Sequence, residues 1–241
     1  MYRGDAYLKM KDPAKALADF AVVHAKGLNR HYERATLEAA RITYFEQKDY
    51  ASARKYFEAL RTNTVNQDYL LEALRGLVRA YYQLKDYTTA NEVAKDLLGR
   101  KGISTDDRAI SYLVLGKSQQ IASDCPAAIA SFKSVAAINK TAWGAEARYE
   151  LANCQFAQQN YPAAEKGAMA VIKETGSYDL WVTKSYILLG DIFMKQKDYF
   201  NAKATYESVA ANAIIPELKD EASRKLQQAV EEEKKQSKIG N

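Results

Sequence analysis

The stretch LGDIFMKQKDYFNAKATY, residues 189–206, decides the fold of this chain. It contains a Leu-Gly pair, an Asp-Tyr step, and an alanine that is followed four residues later by Tyr206. Small residues at Gly190 and Ala202 allow two antiparallel helices to approach closely. The Asp-Tyr step suits the turn between them, because Asp caps a helix and places negative charge at its N-terminus. The stretch therefore predicts a helix–turn–helix unit.

The Asp-Tyr-x-x-Ala motif at residues 198–202 of this stretch recurs along the whole chain. Six copies, two of them weaker, end in an alanine: Ala16, Ala53, Ala90, Ala128, Ala164 and Ala202. Successive alanines are 37, 37, 38, 36 and 38 residues apart. So regular a period indicates a repeat array, in which each unit buries its apolar face against its neighbours.

The surroundings of the six alanines also repeat. Twelve residues before each alanine is a position where two helices are expected to cross, occupied by Gly4, Arg41, Val78, Gly116, Ala152 and Gly190. Four residues after each alanine is a position expected to pack against the neighbouring unit, occupied by Phe20, Phe57, Ala94, Phe132, Ala168 and Tyr206. The two positions predict the close contacts that hold one helix pair to the next.

The order Leu-Gly-x2-Tyr followed by Ala-x3-Phe resembles the tetratricopeptide repeat. The resemblance covers nearly the whole chain and implies an all-α fold, a right-handed superhelical solenoid of stacked antiparallel helix pairs. We expect about six pairs over residues 1–215, with the first truncated, and a C-terminal capping helix and tail over residues 216–241. Because the first crossing position is already Gly4, we also expect the chain to be a fragment of a larger array.

One departure from the family pattern concerns the start of each first helix. An aromatic residue recurs four residues, or one helical turn, before the small residue in the first turn of each expected first helix, with Asp107 as the exception in the fourth copy: Tyr32, Tyr69, Trp143 and Trp181. We infer that each first helix begins about one turn early and that these aromatics pack between repeats.

The composition excludes several classes of protein. The chain has 241 residues, 47% of them apolar and 27% charged, which is typical of a folded protein rather than a disordered one. The net charge of +5 is spread along the chain, so no nucleic-acid interface is expected. No apolar stretch approaches the ~18–20 residues that would cross a bilayer, so no transmembrane segment is expected.

No catalytic constellation is present in the sequence. The two histidines, His24 and His31, are seven residues apart and have no cysteine or carboxylate cluster beside them, so both are expected to be ordinary surface or helix-end residues. Cys125 and Cys154 lie on helices that should be neighbours, and buried or half-buried free thiols are expected there. The sequence therefore predicts no enzyme activity, no metal and no cofactor.

The resemblance implies a concave groove, lined by the first helix of each pair, that binds segments of other proteins. Candidate groove residues in the middle of the array are basic and aromatic: Arg75, Arg79, Tyr82, Lys117, Tyr149, Asn153 and Phe156. Because an arginine fork matches a carboxylate, we expect the partner to be an acidic or C-terminal protein segment.

An alternative function and a location also follow from the sequence. Tyr149 and Phe156 could instead stack on sugars, which would make the chain a module that binds glycan or another cell-wall polymer. Residues 181–205 resemble bacterial cell-envelope tetratricopeptide repeat proteins. That resemblance favours the envelope or periplasm over the cytoplasm.

Overall fold

The computed structural model describes residues 1–239, and that part of the chain is built of α-helices without a strand. The helices are α1 Tyr2–Lys9, α2 Pro13–Ala25, α3 Tyr32–Phe45, α4 Tyr50–Asn63, α5 Gln67–Gln83, α6 Tyr87–Leu98, α7 Thr105–Ile121, α8 Cys125–Ile138, α9 Ala142–Ala157, α10 Tyr161–Glu174, α11 Asp179–Lys195, α12 Tyr199–Asn212 and α13 Pro216–Ile239. The predicted all-α array of helix pairs is confirmed.

The chain divides into two compact units, with the boundary between Ser118 and Gln119. In unit 1, each helix from α1 to α6 packs on the next, and α3 also contacts α5. In unit 2, each helix from α8 to α13 packs on the next, α9 contacts α11, and α11 contacts α13. First helices of successive pairs are therefore neighbours, and α13 occupies the position of a further first helix.

The turn inside each helix pair uses one Asp or Asn to end one helix and begin the next. In the last pair, the Asp198 N–H donates to the carbonyl of Phe193, which closes α11, and the Asp198 side chain accepts from Asn201 N–H at 3.1 Å, which caps α12. The residue before each cap has a φ of 55–61°: Lys11, Lys48, Lys85, Ser123, Gln159 and Lys197. The predicted turn and cap are confirmed in all six pairs: Asp12, Asp49, Asp86, Asp124, Asn160 and Asp198.

The side chains of the two helices of a pair have complementary sizes where the helices cross. All six repeat alanines are fully buried. The crossing position holds glycine where the later position is aromatic, as in Gly4 with Phe20 and Gly190 with Tyr206. A Cβ on either glycine would come within 2.7 Å of its ring. Conversely, Ala94 and Ala168 face the larger crossing residues Val78 and Ala152.

The second pair breaks this size rule. Its crossing residue is Arg41 and its later residue is Phe57, so both positions are large. The Phe57 ring lies instead against Gly76 of the following first helix, where a Cβ would be 2.2 Å from its Cε1 atom. Because no glycine on α3 receives the ring, Phe57 packs on the first helix of the following pair instead of on the first helix of its own pair.

The aromatics of the first turn lie where they were predicted. Helix α3 begins at Tyr32, and Tyr69, Trp143 and Trp181 all lie within three residues of the start of their helices. The early start of the first helices is therefore confirmed.

His24 lies in the last turn of α2, so its predicted place at a helix end is confirmed. Its ring is half-buried, stacks on Tyr32 with ring centroids 5.4 Å apart, and meets the edge of Tyr56 at 5.0 Å. Its Nδ1 atom lies 2.9 Å from the Thr36 hydroxyl. Burial lowers the pKa of His24 below its ordinary value. His31 is the N-cap residue of α3, as expected for a helix end.

Candidate functional site

A cavity of about 360 Å³ opens in unit 1 where the packing departs from the other pairs. It lies between α3 and α5, with α4 beneath and the start of α7 at one end. The lining residues combine charged and aromatic side chains: Arg41, Tyr44, Phe45, Phe57, Glu72, Arg75, Gly76, Arg79, Ser104 and Asp107. This volume is large enough for one or two side chains of a bound molecule.

Three arginines and two carboxylates alternate along the cavity, and we call this row the charge ladder. Glu72 bridges two arginines, because one carboxylate oxygen accepts from Arg41 Nη2 at 2.7 Å and the other from Arg75 Nη1 at 2.8 Å. Asp107 bridges the next two, accepting from Arg75 Nε at 2.8 Å and from Arg79 Nη2 at 3.0 Å. The ladder therefore connects α3, α5 and α7 through five side chains.

Asp107 is the buried anchor of the charge ladder. Its side chain is 2% exposed, and it lies in the first turn of α7. The Ser104 N–H donates to its carboxylate at 3.0 Å, while the Asp107 N–H donates to the Ser104 hydroxyl, so the two residues cap α7 reciprocally. Burial acts to raise the pKa of Asp107, but the hydrogen bonds from Ser104 and the arginines outweigh it and hold the pKa below its usual range.

Glu72 is held differently, at the mouth of the cavity. Its side chain is 30% exposed, and that of Arg41 is 42% exposed. Burial acts to raise the pKa of Glu72, and the hydrogen bonds from its two arginines reverse the effect and lower it. Of the two carboxylates in the ladder, Asp107 is therefore buried and Glu72 is accessible to solvent.

The charges and the aromatic wall define what the cavity can bind. The lining residues include three arginines and two carboxylates, so the lining itself carries one excess positive charge, and Glu38 beside it pairs with Arg41 at 3.4 Å. Phe57 and Tyr44 form an apolar side, and Phe45 at the rim is 64% exposed. The arrangement can therefore receive an anionic group whose neighbour is apolar.

Four of the predicted groove residues lie in unit 1, and two of them line the cavity. Arg75 and Arg79 do so, while Tyr82 and Lys117 do not. Tyr82 packs edge-on against Tyr87 with ring centroids 6.1 Å apart, and Lys117 is half-buried on α7. Both arginines donate to carboxylates, and their side chains are only 25% and 21% exposed.

The other predicted groove residues lie in unit 2 and are also half-buried: Tyr149, Asn153 and Phe156. The Tyr149 ring lies 5.6 Å from that of Trp181, and Lys184 Nζ lies 5.1 Å from the Trp181 ring centre. Asn153 donates to Glu150 at 3.5 Å. Phe156 packs on the ring of Tyr161, the first residue of α10. Tyr149 and Phe156 also pack against one buried apolar cluster, which contains Ala152, Ala164, Ala168, Leu188, Leu189 and Ile192.

Sequence reasoning missed the residues that complete the cavity, above all Arg41, Glu72 and Asp107. Two of the three carry a signal in the repeat alignment. Arg41 is the charged exception among the small or apolar crossing residues, and Asp107 is the exception among the first-turn aromatics. Both exceptions belong to one site, because a buried aspartate needs the arginines of the preceding pair.

The two thiols are free, as predicted. Cys154 is buried on α9 and Cys125 is half-buried at the start of α8. Burial and a hydrogen bond with Cys125 raise the pKa of Cys154 to about 12. Within residues 1–239 no group of three or more His, Cys, Asp or Glu residues is arranged to hold a metal ion. None of the helices described is both long and apolar enough to span a membrane.

Two protein-family models match the sequence. A tetratricopeptide repeat model matches residues 39–103 and 113–179, and a second tetratricopeptide repeat model matches residues 183–211. No curated protein matches the sequence. The first model alone spans more than half of the chain.

Several solved structures are similar in fold. A tetratricopeptide repeat protein from Parabacteroides merdae is 14% identical, with a TM-score of 0.56 over 95% of this chain and 96% of that one. A protein from Thermus thermophilus is 18% identical, with a TM-score of 0.54 over 81% and 99% of the two chains. YrrB, described as having an unusual peptide-binding site, is 14% identical, with a TM-score of 0.58 over 85% and 97%. At these identities the likeness shows the fold alone.

Proposed function

Because the chain belongs to the tetratricopeptide repeat family, we propose that it is a non-catalytic scaffold that binds a segment of another protein. We place the binding site at the cavity of unit 1. The similar fold of YrrB, with its peptide-binding site, supports a peptide as the ligand class. The observation that carries the proposal is the cavity itself, with an apolar side and one excess guanidinium.

The charge of the lining points to an acidic segment or a free C-terminus. A ligand carboxylate at the mouth would meet Arg41, whose guanidinium is the most exposed of the three. An adjacent apolar side chain would lie on Phe57 and Phe45. A charge-assisted hydrogen bond contributes about 1.5–3 kcal/mol, so one such contact changes affinity roughly 10- to 100-fold.

The test compares labelled octapeptides of alternating Glu and Leu with peptides of alternating Gln and Leu, each with a free or amidated C-terminus. Fluorescence anisotropy should show tighter binding of the Glu-Leu peptides, which weakens as salt is added. The variant Arg41→Gln should lose about tenfold in affinity. Reversing Arg75 and Arg79 to Glu would be a poorer test, because it would leave buried Asp107 without its partners.

Two results would count against this function. Equal binding of the Glu-Leu and Gln-Leu peptides would remove the acidic specificity, and binding that ignores Arg41→Gln would remove the cavity as the site. Retention on purified cell-wall polymer, with no peptide bound, would favour the glycan alternative. That alternative and the envelope location stay predictions.

A further inference from the structure

Glu72 occupies the place that a bound carboxylate would take. It lies between two arginines of different helices and gives one oxygen to each, at 2.7 and 2.8 Å. These are charge-assisted hydrogen bonds of the kind that a carboxylate ligand would accept from the same arginines. Unlike Asp107, it lies at the solvent-accessible mouth, so a ligand and Glu72 would compete for the same donors.

We propose that Glu72 is an internal competitor that sets the affinity and specificity of the cavity for acidic ligands, whereas Asp107 positions the arginines that bind them. The inference rests on the proposed function. The two carboxylates share Arg75, yet they differ in exposure from 30% to 2%. Removing the exposed charge should free donors for a ligand, while removing the buried charge should release the arginines from their binding geometry.

The geometry around Asp107 explains why the two roles are opposite. Arg79 Nη1 donates to the carbonyl of Arg75 at 3.1 Å while its Nη2 donates to Asp107, so the guanidinium is held at two points. Arg75 is likewise held by Asp107 and by the carbonyl of Gly102 at 3.3 Å. Side chains held in this way lose little further freedom when a ligand binds, which favours affinity.

The competition also determines which ligands are accepted. With Glu72 in place, a ligand carboxylate must displace an existing ion pair. A ligand that offers one carboxylate and no other contact therefore gains little binding free energy. A segment that adds apolar contact with Phe57 and Phe45 gains enough to compete. The site therefore selects ligands that are both acidic and apolar rather than acidic alone.

The experiment measures binding of the labelled Glu-Leu octapeptide to Glu72→Gln, Asp107→Asn and Glu92→Gln. Glu92→Gln is the matched control, because it also removes one negative charge. Glu92 is 76% exposed on α6 and does not line the cavity. We expect about tenfold tighter binding for Glu72→Gln, about tenfold weaker binding for Asp107→Asn, and a change within about twofold for Glu92→Gln. Circular dichroism at the same temperature verifies that each variant is folded.

The outcomes separate this inference from the proposed function. If wild type binds the peptide but Glu72→Gln binds equally or more weakly, the competitor role is overturned and the function stands. An equal gain in Glu72→Gln and Glu92→Gln would reduce the effect to net charge and overturn the inference. If folded Glu72→Gln and folded Asp107→Asn both bind the peptide more weakly, the two residues have the same role and the inference is overturned. Absence of peptide binding in wild type and all variants would overturn both.

Discussion

Gly190→Ala is the substitution that most directly tests the size rule at the helix crossings. An added Cβ would lie 2.3 Å from Cε1 and 2.7 Å from Cζ of Tyr206, which is 1% exposed. Because carbon atoms in contact lie about 3.5–4.0 Å apart, the ring or one helix has to move by about 1 Å. The ring cannot move freely, since its hydroxyl donates to Asp191 at 2.6 Å and Asp191 also binds Lys225 of α13.

Two opposing effects determine the size of the change. Alanine is favoured over glycine inside a helix by about 1 kcal/mol. Overpacking a buried position costs about 1–3 kcal/mol, and disturbing the hydrogen bond to a charged carboxylate adds to it. We expect the clash to win by about 1–2 kcal/mol. For a chain of this size, each kcal/mol lowers the melting temperature by roughly 2–4 °C.

Thermal unfolding followed by circular dichroism measures this loss. The control is Gly176→Ala, because a Cβ there meets nothing within 4 Å, and we expect it to change stability by less than about 0.5 kcal/mol. The double variant Gly190→Ala with Tyr206→Ala recreates the Ala–Ala pairing of Ala152 and Ala168 and should cost less than the sum of its parts. A melting temperature of Gly190→Ala at or above wild type would refute the steric argument.

Three further predictions follow from the caps, the thiols and the charge ladder. Asp198→Ala removes the cap of α12 and should cost about 1 kcal/mol in thermal unfolding, and an unchanged melting temperature would contradict the capping role. Since burial and the bond with Cys125 raise the pKa of Cys154 to about 12, Cys154 should resist maleimide at pH 8 in the folded protein and react in urea, as read by peptide mapping. The folded-state pKa of Asp107 is lowered, so its stabilisation is complete above about pH 4, the ordinary carboxyl pKa, and is lost as pH falls from there through the lower folded-state pKa. Asp107→Asn should therefore flatten the decline of melting temperature below about pH 4, and an equally steep decline would show that Asp107 is not the group responsible.

Much of the fold could be predicted from sequence because the repeat presents the same local chemistry six times. An Asp cap, a small crossing residue and a buried alanine each act within one helix pair. Their spacing therefore indicates helix positions without knowledge of distant contacts. The aromatic partners of His24 could not be predicted for the opposite reason, since Tyr32 and Tyr56 lie on two other helices.

The candidate site was only partly predictable. Arg75 and Arg79 were expected to line a groove, but the sequence could not show that Glu72 and Asp107 already bind them. Those pairs join residues up to 32 positions apart on different helices. An ion pair of this kind depends on side-chain direction and burial rather than on spacing alone.

The sequence by itself determined the helix pairs, their period, their caps and the close crossings, because these depend on local propensity and on residue size at repeated positions. Only the tertiary structure decided that the second pair departs from the size rule, that Phe57 lies against Gly76, and that a cavity opens beside a row of ion-paired arginines. The physical reason is that charge pairing and cavity shape arise from three helices packed together, and no single repeat contains that information.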